Sequence, residues 1–311
     1  MSVVEVGERL RGRFSGILGE AVPLADYTTF RIGGPAALLA VPRGKEDLAA
    51  LMKAVAESDT RFLVLGGGSN VLVSDAGFDG AVVVLGKDLG GIERIAKYEV
   101  YVEGGCSLNR LVEWAIERGL SGLEDLAGIP GSVAGAVRMN AGAMGCEVGE
   151  RVTEVDVMSL AGREVVARRV TGEEMGFSYR SCALGDDDVI SGVRLRLKEG
   201  DGDALRSRRR EVLAWRRENQ PLRQPSAGSV FRNPPGMSAG ELIDRCGLKG
   251  MRVGEAMVSK KHANFIVNLG GASALDVRTL MARVKQEVMR AQGIELDEEI
   301  RLVGEIGEDT R

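Results

Sequence analysis

Residues 127–145, AGIPGSVAGAVRMNAGAMG, restrict the possible structures of this chain more than any other stretch, because they are mostly glycine and alanine. Side chains this small cannot supply an apolar core, but they let backbone approach backbone or a flat ligand closely. The free amide groups then become ligand donors. A glycine-rich surface loop is the alternative. Two further stretches that make the same demand favour the ligand interpretation.

Composition limits the class of protein. A chain of 311 residues with 44% hydrophobic content is long enough for two or three domains with cores of their own. It has no run of about 18 apolar residues to cross a membrane, and residues 1–14 lack the apolar part of a secretory signal. We therefore expect a cytoplasmic enzyme without membrane contact. The net charge of -4 creates no general field that would attract nucleic acid.

Cysteine and histidine usage predicts no metal site. The four cysteines lie far apart and form no CxxC pair, so we expect reduced, buried side chains rather than zinc ligands or disulfides. They are Cys106, Cys146, Cys182 and Cys246. His262 is the only histidine, so a Ser-His-Asp triad or a Cys-His dyad could form only around that residue.

Hydrophobic periodicity predicts an alternation of helices and strands. The predicted helices are 45–57, 108–118 with Ser107 as its N-cap, 203–218, 239–246 and 273–291. The predicted strands are 37–41, 62–65, 71–73, 99–105, 152–159, 164–170, 189–197, 264–268 and 295–304. The arginine-rich helix 203–218 could bind nucleic acid. Its interrupting glutamates and the scarcity of aromatic residues favour a solvated face.

The turn between strands 62–65 and 71–73 is the second glycine-rich stretch. It consists of Gly66, Gly67, Gly68, Ser69 and Asn70. A Rossmann fingerprint would need a glycine at Val71 and a following helix, and a P-loop would need Gly-Lys-Ser/Thr. Neither is present. What remains is a hairpin turn, or a nest of amide donors for an anion.

Two arginines lie beside turns. Arg31, in TTFRIGGPA, lies where a strand meets a turn, and it is either a surface arginine or a cation suited to phosphate. Tyr179 and Arg180, in TGEEMGFSYRSC, follow an acidic turn, and from the residues alone an exposed arginine at a strand edge is favoured.

Two C-terminal stretches carry residues of catalytic type. In PSAGSVFRNPPG, the small neighbours of Ser229 leave its hydroxyl uncrowded, and Asn233 lies in the same loop. In LDEEIRL, alternation along a strand would turn Glu299 to the face opposite Glu298 and Ile300. A serine-containing turn and solvated acids before a strand are the alternatives.

An ordered set of eight segments resembles the UDP-N-acetylenolpyruvoylglucosamine reductases, in the shorter subtype that lacks an extra substrate-covering insertion. The segments are TTFRIGGPA, VLGGGSNVLVSDAGFDG, GIPGSVAGAVRMNAGAMG, SYR, PSAGSVFRNP, AGELIDRCGLKGMRVGEAMVS, HANFIVN and ELDEEIRLVGE. The resemblance extends from Leu24 to Glu305. One glycine-rich run is unspecific, whereas eight segments in order are highly specific.

The resemblance implies an α+β fold with a two-subdomain FAD-binding region of the vanillyl-alcohol-oxidase type and a smaller α/β substrate-binding domain. The implied domains are 1–86, 87–200 and 201–311, with the last strand, carrying Glu299, returning to the active site. FAD is the implied bound cofactor and NADPH the implied hydride donor. The implied cofactor-binding residues are Arg31, Gly66, Gly67, Gly68, Ser69, Asn70, Gly128, Ile129, Pro130, Gly131, Ser132, Asn140, Ala141 and Gly142.

The implied reaction is the reduction of UDP-N-acetylglucosamine enolpyruvate to UDP-N-acetylmuramate for bacterial peptidoglycan, with hydride passing from NADPH through flavin N5. The resemblance assigns Arg180 and Glu299 to stabilisation of the enolate and Ser229 to its protonation. It assigns Tyr179, Asn233 and His262 to the substrate side, although a packed histidine is an equal alternative for His262. No nucleic-acid or membrane partner is implied, and we expect a monomer or weak homo-oligomer.

Three residues depart from the usual family pattern. Arg138 and Met144 replace common tyrosines near the flavin, and Lys260 replaces a common glutamate near the substrate. An oxygen-using alcohol oxidase and a simple FAD or nucleotide-sugar binding protein are the alternative functions. Neither would need Arg180, Ser229 and Glu299 together, so an enzyme of the reductase type is favoured.

Overall fold

The computed structural model describes residues 3–58 and 60–307. The chain forms two compact units. Unit 1 comprises Met1–Glu20, Ala37–Gly67 and Gly80–Ala214, and unit 2 comprises Ala21–Ala36, Gly68–Asp79 and Trp215–Arg311. The predicted domain borders at 86/87 and 200/201 stay predictions, and the outer limits 1 and 311 lie outside the described residues.

Seven α-helices are found in the described part of the chain. They are α1 Val3–Leu10, α2 Lys45–Ser58, α3 Leu108–Glu117, α4 Val133–Arg138, α5 Gly202–Asn219, α6 Ala239–Arg245 and α7 Ala274–Gln292. The five predicted helices are confirmed as α2, α3, α5, α6 and α7, with ends within one or two residues. None of the helices in residues 3–58 and 60–307 is both long and apolar enough to cross a membrane.

The strands begin with β1 Ile17–Pro23, β2 Pro35–Val41, β3 Phe62–Leu65, β4 Val71–Val73, β5 Phe78–Val84, β6 Ile92–Arg94, β7 Glu99–Glu103, β8 Leu120–Ser121, β9 Gly142–Ala143 and β10 Cys146–Glu147. They continue with β11 Val152–Ala161, β12 Glu164–Thr171, β13 Asp188–Arg196, β14 Lys198–Glu199, β15 Arg252–Val253, β16 Ala256–Val258, β17 Ile266–Asn268 and β18 Arg301–Val303. The predicted antiparallel arrangement of β11, β12 and β13 is confirmed.

Unit 1 is built on two sheets. The larger has the order β12-β11-β13-β7-β6, and the other has the order β1-β2-β5-β3. Strands β3 and β5 run parallel, with Leu65 opposite Val84. Alternating apolar residues of both sheets and the apolar faces of α2 and α3 form one buried core, which includes Leu51, Leu111 and Val193. The core therefore fixes the direction of β3, which ends at Leu65, immediately before Gly66.

Unit 2 contains the antiparallel sheet β15-β16-β17 and the parallel pair β18-β4. Its core packs the apolar stripe of α7 against the sheet, and the predicted stripe of Leu280, Val284 and Val288 is buried. Helix α7 begins at a capping box in which Ser273 and Asp276 bond reciprocally, and it ends at Gly293 with φ 69°. The pairing of Arg301 with Val71 returns the C-terminal segment to the end of the predicted flavin turn.

Some local predictions were wrong. The last strand is limited to Arg301–Val303 instead of 295–304, because residues 297–299 bond to the loop 230–232 instead of a regular partner strand. Strand β17 begins at Ile266 instead of residue 264. Ser107 is the N-cap of α3, but its side chain makes no capping hydrogen bond. All four cysteines are free as predicted, whereas only Cys106 is fully buried.

Candidate active site

The two glycine-rich stretches of unit 1 touch each other through their backbones. A Cβ atom on Gly66 would lie 2.0 Å from Ser132 Oγ, and one on Gly67 would lie 2.6 Å from the Gly131 Cα. These separations are shorter than any real Cβ contact, so glycine is required at both positions. The sequence prediction that small residues here permit close backbone approach is therefore confirmed for this pair of turns.

The amide groups at this contact suit a diphosphate. Among the described residues, no protein acceptor is found for the amides of Gly67, Gly131 and Ser132. Gly67 is exposed, Gly131 is half-buried and Ser132 is buried, and a buried amide without a partner is unfavourable unless a ligand or water accepts from it. Backbone N–H groups of adjoining turns can bind anionic oxygens. The residues present therefore fit the diphosphate of a dinucleotide cofactor such as FAD.

Asn109 on α3 holds the neighbouring part of the 127–145 stretch. Its Oδ1 accepts from the Gly128 amide at 2.6 Å, and its Nδ2 donates to the Ile129 carbonyl at 3.0 Å. Ser132 is the N-cap of α4, where its hydroxyl accepts from the Gly135 amide at 3.1 Å. These bonds fix the conformation of the predicted cofactor loop. The sequence analysis missed Asn109.

Arg180 lies beside the end of the same stretch. Its backbone is left-handed, with φ 57°, at the tip of a tight turn in which Ser178 and Ser181 exchange backbone hydrogen bonds of 3.1 Å. Its guanidinium donates to the carbonyls of Asn140 at 3.4 Å and Gly142 at 3.0 Å. The guanidinium also stacks over the Tyr179 ring, 5.0 Å from its centroid. Arg180 is half-buried and ordered, in contrast to the exposed edge arginine that the residues alone favoured.

Arg138 connects α4 to the loop before β13. Its Nη2 donates to the carbonyls of Gly185 at 2.6 Å and Asp188 at 3.3 Å. Its Nη1 is buried without a protein partner among the described residues. Arg138 therefore makes polar contacts at this position. Met144 is partly exposed at a left-handed position.

In unit 2, the predicted cofactor residue Gly68 contacts the turn that precedes Arg31, another predicted cofactor residue. A Cβ on Gly68 would meet the Tyr27 carbonyl oxygen at 1.9 Å, and the Thr29 amide donates to the Gly68 carbonyl at 3.0 Å. Arg31 is exposed with φ 56°. The Phe30 carbonyl before it accepts from buried Asn268 at 3.0 Å.

Ser229 and Glu299 are brought close in the backbone of unit 2. The Glu299 amide donates to the carbonyl of Val230 at 2.8 Å. Asn70, at the end of the predicted flavin turn, donates through Nδ2 to the Glu299 carbonyl at 3.1 Å. The backbone therefore places a predicted proton donor, a predicted enolate partner and a predicted cofactor residue on adjoining segments.

Asn264 fixes the serine-bearing loop. Its buried amide pairs with both backbone groups of Phe231, accepting from N at 3.0 Å and donating to O at 2.8 Å. Its own carbonyl accepts from the Val230 amide at 2.9 Å. The residue after the glutamate pair, Ile300, is buried, and Glu298 pairs with Arg278 and Lys285 on α7. Glu298 therefore pairs with α7 and Ile300 packs in the core, as expected for two side chains on the same face of an extended segment.

The remaining substrate-side candidates lie around the start of α6. Asn233 is exposed, and its Oδ1 accepts from the Ala239 amide at 3.0 Å. His262 packs edge-on against Phe265 with 4.8 Å between ring centroids, and its Nδ1 accepts from the Asn264 amide at 3.3 Å. Burial, and secondarily the charge of Lys249, lower the pKa of His262. The geometry is that of a packed, neutral histidine, and its contact with substrate stays a prediction.

Stability should depend on pH through His262. Because its folded-state pKa lies below the ordinary value of about 6.5, protonation favours the unfolded chain, and stability is lost as pH falls below about 6.5 toward the folded pKa. We expect the unfolding free energy of the FAD-saturated wild type to fall more between pH 7.5 and 5.5 than that of His262→Gln, measured by urea denaturation at about those two pH values. Equal losses in the two proteins would contradict the assignment.

Gly67→Ala should weaken flavin binding, because the added methyl would press on the Gly131 backbone. Overpacking typically costs about 1–3 kcal/mol, which corresponds to about a 10- to 100-fold rise in the dissociation constant of FAD if the strain falls on the bound conformation. Fluorescence titration of the apoprotein measures it. Gly307→Ala is the matched control, because a Cβ there meets nothing within 4 Å. Unchanged FAD affinity with an unchanged thermal midpoint would contradict the proposal that the contact of Gly67 with Gly131 forms part of the FAD site.

Two family models match the chain. The model described as "FAD binding domain" matches residues 36–168, and the model of the UDP-N-acetylenolpyruvoylglucosamine reductase C-terminal domain matches residues 220–303. Together with the glycine contact, the first match defines the protein as a flavoprotein with FAD as its cofactor. The predicted fold class, α+β with an FAD-binding region of the vanillyl-alcohol-oxidase type and a smaller C-terminal domain, is confirmed.

Full-length relatives define the family. The UDP-N-acetylenolpyruvoylglucosamine reductase of Heliobacterium modesticaldum is 45% identical over 94% of this chain and 93% of its own. Reductase 2 of Symbiobacterium thermophilum is 45% identical over 96% of this chain and 97% of its own. The crystal structure of the Thermus caldophilus reductase covers 93% of this chain and 100% of its own, with a TM-score of 0.77 and 39% identity. The chain belongs to the UDP-N-acetylenolpyruvoylglucosamine reductase family, and it is an FAD-dependent oxidoreductase acting on a CH–CH group.

Proposed function

We propose that the protein reduces the enolpyruvyl group of UDP-N-acetylglucosamine enolpyruvate, with NADPH as hydride donor, to give UDP-N-acetylmuramate for peptidoglycan synthesis. Family membership over nearly the whole chain carries the proposal. The sequence resemblance assigns the catalytic positions to Arg180, Ser229 and Glu299. Bound FAD supplies hydride transfer between the two substrates. We place the reaction in the cytoplasm, where nucleotide sugars and NADPH are available.

Arg180 is proposed to bind the substrate carboxylate. Addition of hydride to the terminal carbon of the enolpyruvyl double bond moves an electron pair toward that carboxylate, so negative charge grows there in the transition state. A guanidinium offers two parallel N–H donors to a carboxylate. Donors held in advance stabilise such charge without reorganisation. The carbonyl contacts of Arg180 with Asn140 and Gly142 support this role, because they order the guanidinium before substrate arrives.

Ser229 and Glu299 are proposed to complete the reaction. The carbon next to the carboxylate must take a proton to become the lactyl ether, and Ser229 is the proposed donor. A serine hydroxyl is a weak acid, but an enolate is a strong enough base to take its proton. Glu299 is proposed to assist the same enolate as a proton-bearing partner. The backbone bond between Val230 and Glu299 supports joint action of the two segments.

The diphosphate and sugar of the substrate are proposed to contact Asn233, Tyr179 and His262. The cofactor-binding residues named from the sequence are kept as proposals. For Asn140, Ala141 and Gly142 the contact would be made by backbone, because the Asn140 side chain is fully engaged within the protein.

Anaerobic stopped-flow at the flavin absorbance tests the function. NADPH should reduce the purified holoenzyme, and UDP-N-acetylglucosamine enolpyruvate should then reoxidise it rapidly. Reoxidation by oxygen alone would favour an oxidase. Failure to retain or reconstitute flavin would overturn the site as a whole.

A further inference from the structure

Asn140 forms a buried junction of three segments in unit 1. It is 1% exposed and follows the end of α4 with a left-handed φ of 41°. Its Nδ2 donates to the Ser178 carbonyl at 3.0 Å and to Glu147 Oε2 at 2.7 Å, and its Oδ1 accepts from the Gly149 amide at 3.0 Å. Both N–H groups of the amide are therefore used inside the protein. A side chain so committed has no donor left for a cofactor.

These bonds converge on the arginine turn. The Ser178 carbonyl that accepts from Asn140 Nδ2 also accepts from the Ser181 amide, which closes the turn carrying Arg180. The backbone carbonyl of Asn140 accepts from Arg180 Nη1. Asn140 thus holds both ends of the arginine, its backbone through the side-chain amide and its guanidinium through the carbonyl.

Gly142 and Glu147 leave little freedom around this arrangement. A Cβ on Gly142 would lie 3.2 Å from Arg180 Nη1 and 2.9 Å from Glu147 Cγ. The Gly142 carbonyl accepts from Arg180 Nη2 at 3.0 Å. The guanidinium is therefore held in one orientation by two carbonyls from the stretch that Asn140 anchors. Ordering the arginine before substrate binds removes the loss of its rotamer entropy from the reaction.

We propose that Asn140 is a positioning residue for Arg180, acting through the Ser178–Ser181 turn and its own carbonyl to set the direction of the guanidinium. The proposal rests on the proposed function of Arg180 and deepens it. It also separates Asn140 from Asn109, which holds the Gly128 and Ile129 backbone by the same pair of amide bonds. Asn109 serves the cofactor loop, and Asn140 serves the substrate side.

Asn140→Asp tests the proposal with little change in shape. Aspartate tolerates the left-handed backbone, but its carboxylate has no N–H to give and faces the oxygens of Ser178 and Glu147. We expect reoxidation of the reduced holoenzyme by UDP-N-acetylglucosamine enolpyruvate to slow about 10- to 100-fold. Flavin reduction by NADPH should slow much less than reoxidation, because that half-reaction does not involve the substrate carboxylate. Asn140→Gly keeps the backbone conformation and gives the same comparison if the aspartate variant does not yield folded holoenzyme.

Asn109→Asp is the matched control, since it makes the same amide-to-carboxylate change at the cofactor loop. It should raise the dissociation constant of FAD. If Asn140→Asp behaves like Asn109→Asp, losing flavin without a selective loss of substrate reoxidation, the positioning role is overturned.

A double-mutant cycle with Arg180→Lys distinguishes the positioning role of Asn140 from the proposed function of Arg180. If Asn140 acts through Arg180, adding Asn140→Asp to Arg180→Lys should slow reoxidation by less than about twofold more. Full additivity would overturn the positioning role while leaving the function of Arg180 intact. Normal reoxidation in Arg180→Lys alone would overturn the proposed function of Arg180, and the positioning role with it.

Discussion

Arg180→Lys should slow reoxidation of the reduced flavoenzyme by UDP-N-acetylglucosamine enolpyruvate about 10²- to 10³-fold, the usual cost of removing one donor to a developing oxyanion. Lysine keeps the positive charge but cannot present two parallel N–H groups to a carboxylate. Nor can it bond in the same way to the Asn140 and Gly142 carbonyls that orient the guanidinium. Charge alone is therefore retained, and the geometry is lost.

Single-turnover stopped-flow measures the effect, with the NADPH half-reaction as the internal reference. Arg163→Lys is a matched control, because Arg163 is exposed in the hairpin between β11 and β12. It should leave both half-reactions unchanged. A wild-type reoxidation rate in Arg180→Lys would contradict the proposed role of the Arg180 guanidinium in binding the carboxylate.

The secondary structure was predictable where a single period dominates a segment. Helix α7 shows this, because Leu280, Val284 and Val288 recur at helical spacing and a serine cap precedes them. The glycine-rich turns were predictable for a different reason. Absence of side-chain bulk has few structural explanations, and the contact of Gly67 with Gly131 is one of them.

The asparagines that organise the candidate site were not predictable in their roles. Asn109, Asn264 and Asn268 were missed altogether, because each bonds to backbone groups far along the chain. The Asn268 and Phe30 positions are 238 residues apart in sequence, and those of Asn264 and Phe231 are 33 apart. The sequence offered one signal for Asn264 and Asn268, which is that both are polar residues in the largely apolar run HANFIVN. Buried amides in such runs must find partners, but the run does not say which.

The last strand shows the opposite error. Residues 295–304 alternate well enough to predict a strand throughout, yet only Arg301–Val303 forms one. Backbone groups before it bond to the serine-bearing loop, where the Arg232 amide donates to the Asp297 carbonyl at 2.8 Å and Glu299 donates to Val230. Alternation reports which side chains can be buried. It does not report which partner the backbone takes.

Ser229→Ala should leave flavin reduction by NADPH unchanged and slow reoxidation by enolpyruvyl substrate about 10²- to 10⁴-fold, the range for loss of a general acid. Ser229 is half-buried, and its backbone forms a bridge with Phe265. The loop around it is held by Asn264 and by the Glu299 amide, so removing one hydroxyl should not alter the loop. The slower reoxidation would then reflect the loss of proton transfer and not a folding defect.

Ser226→Ala is the control within the same loop. Thr29 uses the Ser226 carbonyl, at 2.7 Å from its hydroxyl, so the alanine variant keeps that bond. It should reoxidise at the wild-type rate. Reoxidation in D₂O adds a second readout, because a solvent isotope effect present in the wild type should change when the proton comes from water instead of Ser229. Equal slowing of both half-reactions in Ser229→Ala would contradict the proton-donor role, since only the substrate half-reaction needs that proton.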